Sequence, residues 1–232
     1  MTLSGTYEFA IATEQVDVLA EAYERIGRVA SQLSGNDYDS ARRSLSYIMQ
    51  SDWSNRQPNL WTITQVSSAL TQGQQSFALQ TYDIYITEAF TRTTSGGINN
   101  DLIISPMSRS EYAAIPNKAQ QSTRPTQFYL QRTTTPTVYI WPTPQDATVT
   151  LYYNVARMTQ DPGALANTVD APNRWFDALA AELAVRLAEK WAPERLADLE
   201  RRAAIAYTAA AAEDSENVTL SIVPNYGYGR RG

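Results

Sequence analysis

Acidic side chains in the last quarter of the sequence are the residues whose type and spacing could support catalysis. Two carboxylates held near a bond can act as general acid and general base, which is hydrolase chemistry. Glu182 lies four positions before Arg186, a spacing that predicts an ion pair on a solvated helix face. Asp198 has the same relation to Arg202. A hydrolase that uses Glu182 and Glu194 is therefore an alternative without a supporting motif. The full set of candidates is Glu182, Glu189, Glu194, Asp198 and Glu200.

Other catalytic and cofactor classes are excluded by what the sequence lacks. The 232 residues contain no cysteine and no histidine. This excludes disulfides, thiolate metal sites and cysteine nucleophiles, and it removes the Ser-His-Asp arrangement and most zinc and iron sites. The phosphate-binding patterns GxxxxGK and GxGxxG are also absent. We therefore predict no catalytic residue, no cofactor and no metal, and we expect a protein that is not an enzyme.

Charge and aromatic content favour a protein that contacts other proteins. The net charge is −5 and no basic stripe is present, which argues against tight nucleic-acid binding. The 14 tyrosines, 5 tryptophans and 5 phenylalanines suit strand packing and protein interfaces. Since no apolar run approaches 18 residues, we expect no membrane span and a chain that stays soluble in a cytoplasm. A soluble binding module is a second alternative.

The C-terminal part of the sequence predicts a helical hairpin. Residues 172–192 carry an apolar stripe at every fourth position, formed by Trp175, Leu179, Leu183 and Leu187. Pro193 ends this helix and starts a second one that runs to residue 213. One side of this pair is too apolar to stand alone, so another part of the chain must cover it. Trp53 and the four residues of the stripe are the predicted anchors of the helical core.

The N-terminal part predicts the cover. Residues 1–12 are predicted to be an extended leader, in which Tyr7, Phe9 and Ile11 alternate as in a short strand or a docked arm. A first helix is expected from residue 14 to about residue 32, with ion pairs Glu21–Arg25 and Glu24–Arg28. A second helix, capped by Asn36 or Asp37, carries an apolar stripe that ends at Trp53.

Between the two helical parts the pattern changes to short strands. Two sets of residues alternate with polar neighbours, and Gly96 and Gly97 indicate a turn between strands. Ser108 and Glu111 form a capping box that predicts one short helix over residues 108–115. The alternating sets are Tyr82, Ile84, Ile86 and Phe90, and Val149, Leu151, Tyr153 and Val155.

These segments predict an α+β fold. Its four-helix core consists of N- and C-terminal αα-hairpins, with an inserted antiparallel β domain and an extended C-terminal arm. The predicted boundaries are 1–57 for the N-terminal arm and hairpin, 58–160 for the β domain, 161–216 for the C-terminal hairpin and 217–232 for the arm. The arm combines an apolar strand with aromatic and basic residues, which suits docking on a partner. Its predicted contact residues are Val218, Leu220, Ile222, Tyr226, Tyr228, Arg230 and Arg231.

Short motifs in a fixed order give the sequence a family resemblance. They are residues 40–45 (SARRSL), 52–56 (DWSNR), 59–61 (NLW), 108–112 (SRSEY), 124–129 (RPTQFY), 139–144 (YIWPTP), 174–175 (RW) and 192–194 (APE). In this order the chain resembles the head-to-tail adaptor, or connector, proteins of tailed bacteriophages. That group includes the packaged-DNA-stabilisation and tail tubular A proteins.

The resemblance implies a structural virion protein at the head–tail junction, made in the host bacterial cytoplasm. Such adaptors form a homo-oligomeric, twelvefold ring beneath the portal, extend the DNA channel and provide the platform for the tail or nozzle. The expected partners are therefore further copies of the chain, the portal protein and a tail or nozzle protein. Double-stranded DNA is expected to pass without sequence-specific binding. The resemblance assigns the C-terminal arm to the portal and the β insertion to the tail. If the chain is a phage protein, as the resemblance implies, the hydrolase alternative becomes a tail-associated peptidoglycan hydrolase.

Overall fold

The computed structural model describes residues 14–56 and 60–214, which form a mixed α+β structure. Four longer helices come from the two ends of this region, and one short helix lies among the strands. The helices are α1 (Gln15–Arg25), α2 (Gly35–Tyr47), α3 (Arg109–Ala114), α4 (Phe176–Trp191) and α5 (Leu196–Glu213). α4 packs against α1, α2 and α5, so it is the central helix of this part.

The first helix is shorter than predicted because of Gly27. α1 ends at Arg25, and Gly27 adopts a φ of 86°, a left-handed conformation that turns the chain away from the helix axis. The predicted pair Glu24–Arg28 is wrong for the same reason, since Arg28 contacts Asp37 at 2.9 Å instead.

The cap of the second helix is also corrected. Ser34 caps α2, rather than Asn36 or Asp37, because it forms a capping box with Asp37. The backbone N–H of Ser34 donates to the Asp37 carboxylate at 2.9 Å. The helix then continues through a π-helical turn, Ile48–Trp53. This turn leaves the Met49 carbonyl available to accept hydrogen bonds from the hydroxyls of Ser54 and Thr159, both at 2.8 Å.

One apolar cluster fills the space between the helices. Leu179, Leu183 and Leu187 of α4 are fully buried there. Trp53 lies at the end of the π-helical turn and Trp175 in a 3-10 turn just before α4, and both are at most 1% exposed. Trp175 therefore precedes the helix on whose stripe it was predicted.

The β region contains two four-stranded sheets that share a second apolar cluster. The first sheet has the order β1-β10-β3-β4 and is antiparallel throughout. The second has the order β2-β8-β7-β5, and its β5–β7 pair is parallel, as is the separate β6–β9 pair. The sheets are therefore antiparallel as predicted, apart from these two short parallel pairs. The strands are β1 (Ile63–Ala69), β2 (Ser76–Ala78), β3 (Asp83–Ser95), β4 (Ile98–Ile103), β5 (Ser105–Pro106), β6 (Gln121–Ser122), β7 (Gln127–Gln131), β8 (Thr137–Trp141), β9 (Thr143–Pro144) and β10 (Val149–Arg157).

The local predictions in this region are mostly confirmed. Ser108 and Glu111 form the capping box of α3, and the chain turns between β3 and β4 at Gly96 and Gly97. The predicted alternation of β10 is also confirmed, since Val149, Leu151, Tyr153 and Val155 are all buried.

The alternation of β3 is interrupted by a bulge. Ile86 pairs with Val155 while Glu88 pairs with Asn154, so Thr87 is an extra residue on β3. Beyond the bulge, Ala89 is buried in the sandwich core, and Phe90 lies on the outer face against Tyr152.

Candidate assembly surfaces

An aromatic cluster joins the end of the N-terminal helical part to the start of α4 and to α5. The ring of Trp175 lies 5.1 Å from that of Trp53, 4.9 Å from that of Trp61 and 5.5 Å from that of Tyr207. The Trp53 indole Nε1 donates to the Glu182 carboxylate at 2.6 Å. The indole nitrogens of Trp61 and Trp175 are buried and have no hydrogen-bond partner among the described residues.

Ion pairs at the edge of this cluster connect α4 to the end of the N-terminal helical part. Arg56 donates to the second oxygen of Glu182 at 2.5 Å, and its guanidinium lies 4.3 Å from the ring centre of Tyr207. Arg186 contacts Asp52 at 2.6 Å. The predicted pair Glu182–Arg186 is therefore replaced by two contacts between distant segments, whereas the predicted pairs Glu21–Arg25 and Asp198–Arg202 are confirmed at 2.8 Å each.

The predicted portal-contacting residues lie outside the described residues. They are Val218, Leu220, Ile222, Tyr226, Tyr228, Arg230 and Arg231. The last described residue, Asp214, is bonded to Arg174, the neighbour of Trp175. The C-terminal segment therefore begins beside the aromatic cluster, where its first attachment point is a buried carboxylate.

The hairpin of β3 and β4 presents a second surface, which the sequence patterns did not reveal. Every residue of β4 is exposed, and Ile98 and Ile103 are 75% and 82% exposed. β4 is also an edge strand, so one row of its backbone groups has no sheet partner among the described strands. Large apolar side chains on a free strand edge are typical of a protein contact.

An aromatic and ionic group stiffens the same hairpin. Phe90 and Tyr152 stack with their ring centres 5.1 Å apart, and the Arg92 guanidinium lies 4.6 Å from the centre of the Tyr152 ring. Arg92 also donates two hydrogen bonds to Asp101, at 2.7 and 2.6 Å. This bidentate pair holds the pKa of the Asp101 carboxyl below its usual value. Arg124 anchors the hairpin from the other side, through the carbonyl of Asn100 at 3.1 Å.

Comparison with known protein families identifies the family of this chain. The sequence model of the SU10 adaptor protein family matches residues 13–222, which is nearly the whole chain. The chain belongs to the SU10 adaptor protein family. This is a family of phage head-to-tail adaptors, so the adaptor is a virion component and has a structural, non-enzymatic role. No curated protein sequence matches the chain.

Two of the carboxylates considered for catalysis, Glu182 and Asp198, have structural partners in the adaptor. Glu182 holds Trp53 and Arg56, and it lines a groove with Arg186 and Tyr207. Glu194 lines a different groove, with Arg25 and Asp198 among its neighbours. The two carboxylates therefore do not face a common cleft, and the hydrolase alternative is wrong for a member of a structural family.

Residues 14–56 and 60–214 contain neither a metal-binding cluster nor a membrane-spanning helix. Acidic side chains in these ranges form no group of three or more that could hold a metal ion. Every helix within them is too short or too polar to cross a lipid bilayer.

Proposed function

We propose that the chain is a head-to-tail adaptor that forms a ring beneath the portal, extends the DNA channel and carries the tail or nozzle. The match of the SU10 adaptor family over residues 13–222 is the observation on which this proposal rests. A twelvefold ring is the stoichiometry that the resemblance implies. In this proposal the four-helix core, made of the two hairpins, is the body of each subunit.

The charge of the chain suits a channel through which DNA slides. A net charge of −5 on each subunit, repeated around a ring, produces a field that repels phosphates. Several positively charged side chains of the helices are engaged by acids, as in Arg25–Asp177 at 2.6 Å and Arg186–Asp52 at 2.6 Å. Double-stranded DNA can then pass without being held at a sequence-specific site.

Two separate surfaces are proposed for the two neighbours of the ring. The C-terminal segment begins at the anchored Asp214 and supplies the strand residues Val218, Leu220 and Ile222 for edge pairing with the portal. Its tip supplies aromatic area and charge-assisted hydrogen bonds through Tyr226, Tyr228, Arg230 and Arg231. The exposed β4 edge, with Ile98 and Ile103, is the proposed contact for the tail or nozzle. In this assignment the helical part of the subunit lies between the contact with the portal and the contact with the tail or nozzle.

The two assignments are tested by variants that should affect one contact each. Immobilised portal rings are expected to capture a variant that lacks residues 226–232 more weakly than the full chain. The circular dichroism spectrum of this variant should equal that of the full chain. Replacement of Ile98 and Ile103 by lysine is expected to leave portal capture intact and to weaken binding of the tail or nozzle protein. If the deleted variant binds portal rings as tightly as the full chain, the role of the arm is wrong. If the lysine variant instead loses portal binding, the assignment of the β4 edge to the tail or nozzle is wrong.

A further inference from the structure

A groove with a volume of about 810 Å³ lies where the helical part meets the open side of the β sandwich. One wall is the C-terminal half of α2 with its π-helical turn, represented by Met49. The other walls include Thr64 and Val66 of β1, Ala78 of β2 and Tyr153 of β10. The groove therefore runs along the outermost strands of both sheets and reaches the apolar residues between them.

The two strands that border the groove are free edges. Among the described strands, β1 pairs only with β10 and β2 pairs only with β8. A free edge presents backbone N–H and C=O groups that can pair with another extended segment. Val66 and Tyr82, which line the groove, are 36% and 51% exposed. Together, the unpaired edges and the exposed apolar side chains form a site suited to an added β-strand.

The N-terminal segment starts close to one end of this groove. Glu14 forms an antiparallel bridge with Thr168, and the N–H of Gln15 donates to the Asn167 carbonyl at 3.0 Å. In an antiparallel pair, the residues before one partner run alongside the residues after the other. Extending the Glu14–Thr168 register by two residues would place residue 12 opposite Asp170.

Asp170 is tied directly to the groove. Its carboxylate accepts hydrogen bonds from Arg157, at 2.5 and 3.1 Å, and from the backbone N–H of Gln160 at 2.8 Å. Arg157 and Gln160 both line the groove. They lie at the Ile63 end of β1, because Ile63 pairs with Ala156. A segment that arrives at Asp170 therefore lies near the end of the groove at which β1 begins.

We propose that residues 7–11 of the same chain occupy this groove as an additional strand, antiparallel to β1. In the register that places Phe9 opposite Val66, Tyr7 and Ile11 fall opposite Ser68 and Thr64. The three alternating apolar side chains then point into the apolar groove, and Glu8 and Ala10 point away from it.

The added strand has two consequences for the protein. It closes the β1 edge, which protects the chain against pairing with the edge of another sheet. It also connects the beginning of α1 to the β sandwich, so that the helical part and the sheet are joined by backbone hydrogen bonds. This inference concerns contacts within one chain, and it holds whether or not the chain forms a ring beneath a portal.

The absence of cysteine in the sequence permits a clean cross-linking test. Directly opposite residues of an antiparallel pair have their Cβ atoms about 4.5–5.5 Å apart, within reach of a short bifunctional maleimide. We expect the full chain with Phe9→Cys and Val66→Cys to cross-link within one molecule, as measured by mass spectrometry of the intact protein and of its peptides. The control, Phe9→Cys with Ile205→Cys, places the second thiol on an exposed position of α5 and should not cross-link.

A third variant distinguishes the occupants. This variant carries Leu220→Cys and Val66→Cys. If its intramolecular cross-link forms faster than the cross-link between positions 9 and 66, the C-terminal segment occupies the groove and the proposal is overturned. Cross-links between two chains, equal linking to position 205, or no link in a chain that folds normally by circular dichroism would also overturn it.

Hydrogen exchange provides a second, independent measurement. Deletion of residues 2–12 should accelerate exchange of those β1 amides that point away from β10 by about tenfold or more, because the proposed strand no longer protects them. The amides of α4 lie in the other apolar cluster and should exchange as in the full chain. Unchanged exchange in β1 after the deletion would refute the inference.

Discussion

The aromatic cluster gives a stability prediction in which the same chemical change has different effects at two positions. Trp53 and Trp175 are both at most 1% exposed and lie in contact with each other. The Trp53 N–H donates to Glu182 at 2.6 Å, whereas the Trp175 N–H has no partner among the described residues. We therefore expect Trp53→Phe to destabilise the fold more than Trp175→Phe.

The difference can be estimated from general magnitudes. Both substitutions remove the same atoms from a buried site, so their cavity costs largely cancel in the comparison. Trp53→Phe also removes a hydrogen bond to a charged group, which contributes about 1.5–3 kcal/mol. Trp175→Phe removes a buried donor that is unpaired and costs the folded state about 1–3 kcal/mol. The expected difference in the free energy of unfolding is the sum of these two effects, about 2.5–6 kcal/mol.

Urea unfolding followed by far-ultraviolet circular dichroism measures this difference without depending on tryptophan fluorescence. Trp175→Ala serves as the reference for full removal of the ring and should cost about 3–5 kcal/mol. Equal losses for the two phenylalanine variants, or a larger loss for Trp175→Phe, would show that the hydrogen bond to Glu182 does not contribute as described. A negligible loss for Trp175→Ala would mean that this side chain does not anchor the helical part.

Three further predictions concern buried polar groups and a helix cap. Burial raises the pKa of the Asp83 carboxyl. Because the folded state disfavours the charged carboxylate, the protein loses stability as the pH rises through this raised pKa. Asp83→Asn should therefore raise the melting temperature at pH 7, and the gain should vanish below about pH 4, where the carboxyl is protonated in both states. The side chain of Gln15 is fully buried, and its two polar atoms lack partners among the described residues. Gln15→Met should stabilise the protein by about 1 kcal/mol in thermal unfolding, and destabilisation would contradict this reading of the site. Ser34→Ala removes the cap of α2 and should cost about 1 kcal/mol in urea, whereas an unchanged midpoint would refute the role of the capping box.

Local chemistry explains the parts of the fold that the sequence predicted well. The capping box of Ser108 and Glu111 depends on residues three positions apart, and the turn at Gly96 and Gly97 depends on two neighbours. The alternation of β10 is equally local, because successive side chains of a strand point to opposite faces of the sheet and one face of β10 packs in the apolar cluster. These features need no knowledge of the rest of the chain.

The features that the sequence patterns predicted wrongly depend on contacts between distant segments or on a single inserted residue. Arg186 was assigned to Glu182 by helix spacing, but Glu182 holds Arg56 while Arg186 holds Asp52, so packing against the end of the N-terminal helical part decides both contacts. The bulge at Thr87 reverses the faces of β3, and no local pattern indicates where one extra residue enters a strand.

The candidate surfaces divide in the same way. The composition of the C-terminal arm was visible in the sequence, although its residues lie outside the described ones. The exposed edge at Ile98 and Ile103 was not visible, because exposure depends on β4 being the last strand of its sheet.

We expect this SU10-family adaptor to form a ring on the portal. Electron microscopy of purified portal rings mixed with an excess of the full chain tests this directly. The images should show a second ring stacked on one end of each portal, with a continuous axial channel and a symmetry that can be counted. Portal rings that remain bare beside a monomeric adaptor, under conditions in which both proteins are folded, would contradict this expectation.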